Sequence, residues 1–507
     1  MNNRNFLLQV LSLSAIPRIV TSVLTAICFP LMVRSLGAAN YGIVIYIGAI
    51  ISIMESFVDF GVSTAAGKAI AQVRDRSAIF LNKTVVKWAK LQGAVGLIGF
   101  APLLLTTYFL SKNSKIGFDL KLMILLVCAA WMSITLNFVR MTLTSLLVFK
   151  QLAVLDTFES LFRSLSWLTI SFLMPTPMGL AIATIATAFC ASSVGAGLVF
   201  LNVQKRKRNI KVGNLQEEET GENNLLSIKV MIKDSLQFLW LRLVTRIFQS
   251  IPVILFGKIV GSELVGIFGA FTKIGEILNF PFNIIGNALA VRVHGITEKG
   301  LNATKKLWDL AIKLVSLSLL LVFSIYIGAD VLARILLPNN INVGGSIQIL
   351  SFTILFGVCS YMITPMSDYV GALKSRNIFM SFSIGVQAGL IWLGGHFFKM
   401  EGALIAYLLV LLGMNTGYIS IALRIFFGTS RYHISREVIY FIISVIVCFL
   451  LSYYGVYIRL LKPRFEITTI GVAIAIMIFF FLVFCAVFLD RKTRKYYFTR
   501  SFFTIDA

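Results

Sequence analysis

The stretch "LSLSAIPRIVTSVLTAICFPLMV", Leu11 to Val33, is apolar or small at almost every position and is long enough to cross a bilayer, yet Arg18 stands near its middle. A second stretch, "LQFLWLRLVTRIFQS" (Leu236 to Ser250), aligns with "LQVLSLSAIPRIVTS" (Leu8 to Ser22). Gln9 falls on Gln237, Leu11 on Leu239, Leu13 on Leu241, Arg18 on Arg246, Ile19 on Ile247 and Ser22 on Ser250. A central arginine costs roughly 3 kcal/mol even on permissive insertion scales. Its recurrence in the same frame therefore points both to an internal repeat and to a use for the charge.

Working outward, the same apolar character fills the chain. It is 58% hydrophobic and 13% charged, where a soluble domain carries about 25% charged residues. Its mean hydropathy is +0.87. Apolar runs of spanning length recur, and they run apolar throughout instead of alternating, which argues for helices and against a β-barrel. The sequence predicts an all-α integral membrane protein with fourteen transmembrane helices. Approximate limits are 10–33, 41–65, 88–110, 122–148, 152–174, 178–201, 235–257, 264–290, 307–329, 346–370, 377–398, 402–426, 438–458 and 467–489. The first run is of span length, holds Arg18 and has no small-residue cleavage site, so it reads as a span and not as a signal peptide.

The repeat extends beyond the arginine. "SLGAANYGI" (Ser35–Ile43) recurs as "IVGSELVGI" (Ile259–Ile267), setting Gly37 on Gly261 and Gly42 on Gly266. Lys150 falls on Lys374, and "GLAIA" (Gly179–Ala183) on "GALIA" (Gly402–Ala406). The first twelve spans are thus two copies of six, and an even number gives both copies the same orientation. The expected architecture is two six-helix lobes in a parallel pseudo-twofold repeat plus two C-terminal helices. Its parts are an N-terminal lobe over 1–201, a polar cytoplasmic linker over 202–234, a C-terminal lobe over 235–426, and the extra helices with a tail over 427–507. Two such lobes suit a transporter, with a site at the midplane and halves that can rock.

Charge sets orientation. Arg4, the Lys68–Lys87 loop, Lys150, "KRKRNIK", the Arg292–Lys306 loop, Lys374, Arg376, the Arg424–Arg436 loop and "DRKTRK" all fall on one side. By the positive-inside rule that side is cytoplasmic, with both termini inside. Much of the formal net charge of +24 is then a topology signal, with anionic headgroups as a second contact. The basic residues are scattered over short loops, which speaks against nucleic acid as a partner. The six cysteines form no C-x-x-C pair and read as packing residues, and the three histidines lie far apart, so no metal site is expected. No G-x-x-x-x-G-K-[ST] occurs, and no cofactor is expected.

Within the spans lie Arg18, Lys90, Arg140, Arg163, Arg242, Arg246, Lys273 and Lys313, against Glu55, Asp59, Asp156, Glu159, Glu276 and Asp368. Such residues face a bundle interior or water. Lys90 and Lys313 sit near span ends and can snorkel. Arg242 and Arg246 share a helix face, as do Glu55 and Asp59. One reading makes these structural ion pairs: Glu159 with Arg163, Lys273 with Glu276, and Arg18 with Glu55 or Asp59. The other makes Arg18 and Arg246, with Arg242, Arg140 and Lys273, a cationic lining for an anion, because the guanidinium fork holds phosphate through two hydrogen bonds. Glu55, Asp59, Asp156 and Glu159 are then the candidates for coupling to a proton or a sodium ion.

The segment "RSLGAANYGIVIYIGAIISIMESFVDFGVSTAAGKAIAQ" (Arg34–Gln72) resembles the polysaccharide-transport family, the Wzx-type flippases, in the superfamily that also holds multidrug-and-toxin exporters and lipid II flippases. The matching pattern is R-x-L-G-x-x-x-Y-G at the end of the first span and D-F-G-x-x-x-A over Asp59–Ala65. The resemblance implies a bacterial inner-membrane flippase that carries an undecaprenyl-diphosphate-linked oligosaccharide, of O-antigen, capsule or exopolysaccharide type, to the outer leaflet. It implies alternating access and no enzymatic step. It also implies that the two extra helices help form a groove for the lipid tail. Two rivals remain. A cation-coupled drug exporter would want an acidic cavity, and a glycan polymerase or ligase would want a substantial outer loop, whereas the longest one expected is Asp330–Gly345.

Overall fold

The computed structural model describes residues 23–73, 78–113, 120–209, 228–296, 318, 321–322, 324–336, 344–369 and 373–427. All of the regular structure there is helical: α1 (Val23–Leu36), α2 (Ala38–Asp59), α3 (Val62–Val73), α4 (Ala78–Asn113), α5 (Leu120–Ser145), α6 (Phe149–Leu173), α7 (Pro177–Asn209), α8 (Ile228–Ile259), α9 (Ser262–Ile296), α10 (Ala329–Leu336), α11 (Gly344–Tyr369) and α12 (Leu373–Phe427). Among the described residues, seven helices are long and apolar enough to cross a membrane. The protein is a multi-pass helical membrane protein. The expected spans over 438–458 and 467–489 lie outside the described residues, as does most of the one over 307–329.

Helices run past the apolar windows that announced them. The loop expected over Lys68–Lys87 is helical on both sides, because α3 continues to Val73 and α4 begins at Ala78. Likewise α7 runs on to Asn209 and α8 starts at Ile228, so helix enters the segment 202–234 from both ends. Lysine and arginine end a hydropathy window but are good helix formers, so the backbone has no reason to stop where the bilayer does. Part of the Asp330–Gly345 loop is also helical, as α10, with Ala329 and Ala333 buried. In α12 the backbone breaks at Phe398 and Lys399, where Lys399 has φ 52°. The chain folds back there so closely that a Cβ added at Gly394 would lie 2.8 Å from the carbonyl carbon of Gly402. One helical run thus supplies both segments expected over 377–398 and 402–426.

The chain divides into two compact units. The first comprises Met1–Phe280, Ile335–Pro338 and Lys374–Val410. In it, α5 packs on α7, α3 and α4; α6 packs on α7; and α2 packs on α8, α4 and α5. Its core gathers Ala66, Ile70, Leu81, Trp88, Leu146 and Met231 around the short helix α3. Phe256, Phe268 and Tyr407 stack edge to face in the same unit, with centroids 5.0–6.3 Å apart. The second unit comprises Pro281–Arg334, Asn339–Leu373 and Leu411–Ala507. There Tyr326 packs on Phe352, and Ser360 lies 3.2 Å from Asn415 Oδ1 as a hydrogen-bond donor.

The linker glycines paired by the sequence alignment both take positive φ. Gly37 links α1 to α2 at φ 79°, and Gly261 links α8 to α9 at φ 123°, both in the region that side chains disfavour. One turn further on, Gly42 and Gly266 face each other. A Cβ added at Gly42 would overlap the Ser262 carbonyl oxygen and stand 2.8 Å from Gly266 N, while one at Gly266 would overlap the Ala38 carbonyl oxygen. Ala38 and Gly42 on one helix, with Ser262 and Gly266 on the other, form small-xxx-small faces, which allow two backbones to meet inside a membrane.

Candidate functional site

The site begins at a break in the helix. The chain reads Asp59-Phe60-Gly61 where α2 ends, and Phe60 takes the left-handed conformation at φ 51° with its N–H donating to the Ser56 carbonyl. Gly61 follows at φ 74°, and a Cβ there would stand 2.7 Å from Leu239 N and closer still to the Ser235 carbonyl oxygen. Only a residue without a side chain lets α8 pass so near. The break ends α2 on Asp59 and sets that carboxylate against α8.

Asp59 is 2% exposed and forms an ion pair with Arg242 of α8. It also accepts a hydrogen bond from the Ser63 hydroxyl, one turn on in α3. Ser63 Oγ lies 3.4 Å from Gln92 Oε1 of α4, so the polar chain runs on into the bundle. Glu55 stands one turn before Asp59, half-buried, and interacts electrostatically with Arg246, Arg242 and Asp59. Two acids on α2 thus lie within electrostatic reach of two arginines on α8, and among them Asp59 and Arg242 form a direct ion pair. Two opposite charges about 4 Å apart attract far more strongly here than at a wet surface, because little water screens them.

A second cluster joins α5 to α6. Arg140 Nε lies 3.0 Å from Asp156 Oδ1, and Arg140 also pairs with Glu159. Glu159 is 8% exposed and receives Arg163 as well, at 3.5 Å. The Arg163 guanidinium rests 5.7 Å from the centroid of Trp167, a cation–π contact. Lys273 and Glu276, on α9, pair at 2.7 Å in a more exposed setting.

Sorting the in-span charges by sign therefore separated partners. The structure brings Arg242 and Arg246 to Glu55 and Asp59, and Arg140 to Asp156 and Glu159. Lys273 is joined to neither group by any contact among the described residues. Asp59 takes Arg242, where the sequence offered Arg18 as its partner; Arg18 lies outside the described residues. Ser63 and Gln92 were missed. Ser63 had a readable signal, being one turn past Asp59, whereas Gln92 is linked only through the tertiary fold. Among the described residues no group of three His, Cys, Asp or Glu side chains could hold a metal, and Cys28, Cys128, Cys190 and Cys359 are free thiols.

Comparison with known proteins adds to this geometry. A family model described as "Polysaccharide biosynthesis protein" matches residues 7–291. No curated protein matches the chain. Among solved structures, the chain is similar to a multidrug resistance MATE family transporter of the MOP superfamily in its inward-facing conformation. The TM-score is 0.63 at 16% identity, covering 81% of this chain and 96% of that one. Against an outward-facing MATE family transporter the TM-score is 0.58 at 15% identity, covering 85% and 99%. A MOP superfamily transporter from Pyrococcus furiosus Vc1, described as having a binding pocket of reverse polarity that suggests a different function, gives 0.54 at 15% identity, covering 84% and 98%. At these identities the likeness shows a shared fold.

Proposed function

The chain belongs to the polysaccharide biosynthesis protein family, and on that premise we propose that it is a flippase. It moves an undecaprenyl-diphosphate-linked oligosaccharide from the cytoplasmic to the outer leaflet of the bacterial inner membrane, with both termini cytoplasmic. Two six-helix lobes related by a parallel pseudo-twofold work by alternating access, and the positive φ shared by Gly37 and Gly261 supports that repeat. The family match says which biosynthesis the chain serves. The observation that carries the mechanism is the buried Asp59–Arg242 ion pair between spanning helices, with Glu55 and Arg246 within electrostatic reach of it.

In this reading Arg18, Arg242, Arg246, Arg140 and Lys273 are the candidates for holding the diphosphate, and Glu55, Asp59, Asp156 and Glu159 for ion coupling. A diphosphate competes with carboxylates for the same guanidinium forks. The acids keep the arginines neutralised while the site is empty. Entry of a proton or sodium ion at Glu55 or Asp59 releases Arg242 and Arg246 to the anion, and departure of the anion restores the pairs. Coupling and binding are then two occupancies of one cluster. The prenyl tail stays in lipid, and an inside-negative potential favours outward movement of the anionic head by roughly 2.3 kcal/mol per charge per 100 mV.

A second reading, a cation-coupled exporter of small molecules, is favoured by the two acids sitting in the same cluster as the arginines. One experiment separates them. Purified protein in proteoliposomes is given a fluorescent prenyl-diphosphate oligosaccharide in one arm and a lipophilic cation in another. The flippase reading expects translocation of the glycolipid, loss of it in Arg242→Ala, Arg246→Ala and Arg18→Ala, and partial recovery with lysine, which keeps the charge but not the fork. Cation efflux without glycolipid movement would overturn it.

A further inference from the structure

A cavity of about 320 Å³ lies between α4, α5 and α7, and Gln92 in its lining is joined through Ser63 to Asp59 of the α2/α8 cluster. Its walls are mostly apolar, with Val85, Gly93, Ile134, Phe138, Val199 and Val203 among them. It opens through lining residues that are themselves exposed, notably Val86 at 44% and Phe200 at 61%. In a membrane protein such apolar, exposed positions face lipid, so the mouth opens sideways into the bilayer.

Asn82, Thr135 and Gln92 bring polar groups to that wall, and Gln92 is the buried one of the three. Gln92 lines the cavity, is 6% exposed, and its Nε2 has no hydrogen-bond partner among the described residues. An amide N–H left unpaired in a buried place is costly, and such groups are normally satisfied. The cavity therefore suits an occupant with a long apolar part and one hydrogen-bond acceptor.

The same helix adds charge. Lys83, Lys87 and Lys90 are exposed on α4, and each follows directly a residue lining the cavity, Asn82, Val86 and Ala89. Their spacing of i, i+4, i+7 makes a basic stripe beside the cavity stripe. Phe80, Val85 and Val203 share one core cluster, so the start of α4 and the end of α7 lie at the same end of the bundle. α7 continues there through "KRKRN" to Asn209. Along α4 the order from this end inward is lysines, then Gln92, then Gly96 beside Trp131. Gln92 lies roughly 7.5 Å deeper along the axis than Lys87, at 1.5 Å per residue. That depth order is the order of a phospholipid: phosphate, ester carbonyl, hydrocarbon.

We propose that this cavity seats an anionic phospholipid. One acyl chain fills the apolar space, an ester carbonyl accepts from Gln92 Nε2, and the phosphate lies on Lys83, Lys87 and Lys90. Charge complementarity selects the headgroup, because none of the three lysines has an ion-pair partner among the described residues while cytoplasm-type leaflets carry anionic lipid.

The test is native mass spectrometry of the full chain, with phosphatidylglycerol and phosphatidylcholine titrated separately. The wild type should retain phosphatidylglycerol with at least about tenfold preference, since juxtamembrane lysines add affinity for anionic lipid one by one. The triple variant Lys83→Gln, Lys87→Gln, Lys90→Gln should lose that preference. Gly93→Leu should abolish retention of either lipid: a Cβ at Gly93 meets nothing within 4 Å, so the side chain grows into the cavity without touching the backbone. Should Gly93→Leu fail to fold, Ala89→Leu on the same rim gives the same reading. Equal affinity for the two lipids, unchanged retention in Gly93→Leu and Ala89→Leu, or displacement of phosphatidylglycerol by undecaprenyl phosphate at equal concentration would each overturn the proposal.

Discussion

The α2/α8 cluster and the α5/α6 cluster hold the same ingredients, two acids and two arginines each, but they are built differently. In α5/α6 the partners belong to consecutive helices, and Arg140, Asp156 and Arg163 each keep about a third of their side chain exposed. Arg140 bridges two acids, and Glu159 bridges two arginines. In α2/α8 the ion pair joins residues 183 apart in the chain, and Asp59 is nearly sealed. It sits where α2 breaks, with α8 drawn in against Gly61. The redundancy of the first cluster makes a brace for a helical hairpin. The second has a sealed acid held between helices far apart in the chain, so any movement of α8 past α2 must break it. The difference teaches that a switch and a strut can share a composition and differ in burial and connectivity.

Five variants test this contrast. The largest loss should follow Asp59→Ala, which strands Arg242 without its acid. Breaking a pair of this kind costs about 3–5 kcal/mol, readable as a fall in thermal unfolding temperature in detergent. The double variant Asp59→Leu/Arg242→Met should recover most of that loss, because no unpaired charge remains. Failure of the double variant to recover would show that the pair does more than neutralise itself. Glu159→Gln should cost less, about 1.5–3 kcal/mol for lost charge-assisted hydrogen bonds, since Arg140 keeps Asp156. A drop as large as that of Asp59→Ala would erase the distinction between strut and switch.

The fourth variant leaves charge alone. Gly42→Val pushes a side chain into the Ser262 backbone and should cost about 1–3 kcal/mol, as overpacking does. Cross-linking between cysteines placed on α2 and α9 should weaken with it, while one between α5 and α6 stays unchanged. The smallest effect belongs to Lys273→Ala. Its pair with Glu276 is solvent-accessible on both sides and within one helix turn, so the loss should stay within about 1 kcal/mol. A larger fall in stability would mean Lys273 has a further partner, and a fall in glycolipid transport at normal stability would assign it to substrate.

Much of the architecture was readable because membranes constrain sequence strongly. Apolar runs announced helices, and the alignment that set Gly37 on Gly261 and Gly42 on Gly266 picked out two glycines at positive φ between helices and two glycines in close approach. Helix ends were read less well. Hydropathy marks where the bilayer stops, while α3, α4 and α7 continue through lysines and arginines that favour helix as much as the apolar residues do. The break at Phe60–Gly61 lay inside a run read as one continuous span, 41–65. The motif Asp59-Phe60-Gly61 was visible as letters, but its role as a docking notch for α8 was not.

The letters alone were enough for the helical, membrane-crossing character of this protein and for the set of residues bearing charge where charge is expensive. They also gave the pairs that lie within one helix, Glu159 with Arg163 and Lys273 with Glu276, because 3.6 residues per turn fixes which positions are neighbours. What only the tertiary structure decided is who meets whom between helices: Asp59 with Arg242, Arg140 with Asp156 and Glu159, Ser63 with Gln92. That choice depends on how each helix is rotated about its axis and how closely two backbones approach. Those quantities are set by the packing of small residues such as Gly42, Gly61 and Gly266 against a neighbour far away in the chain, and local sequence carries no record of that neighbour.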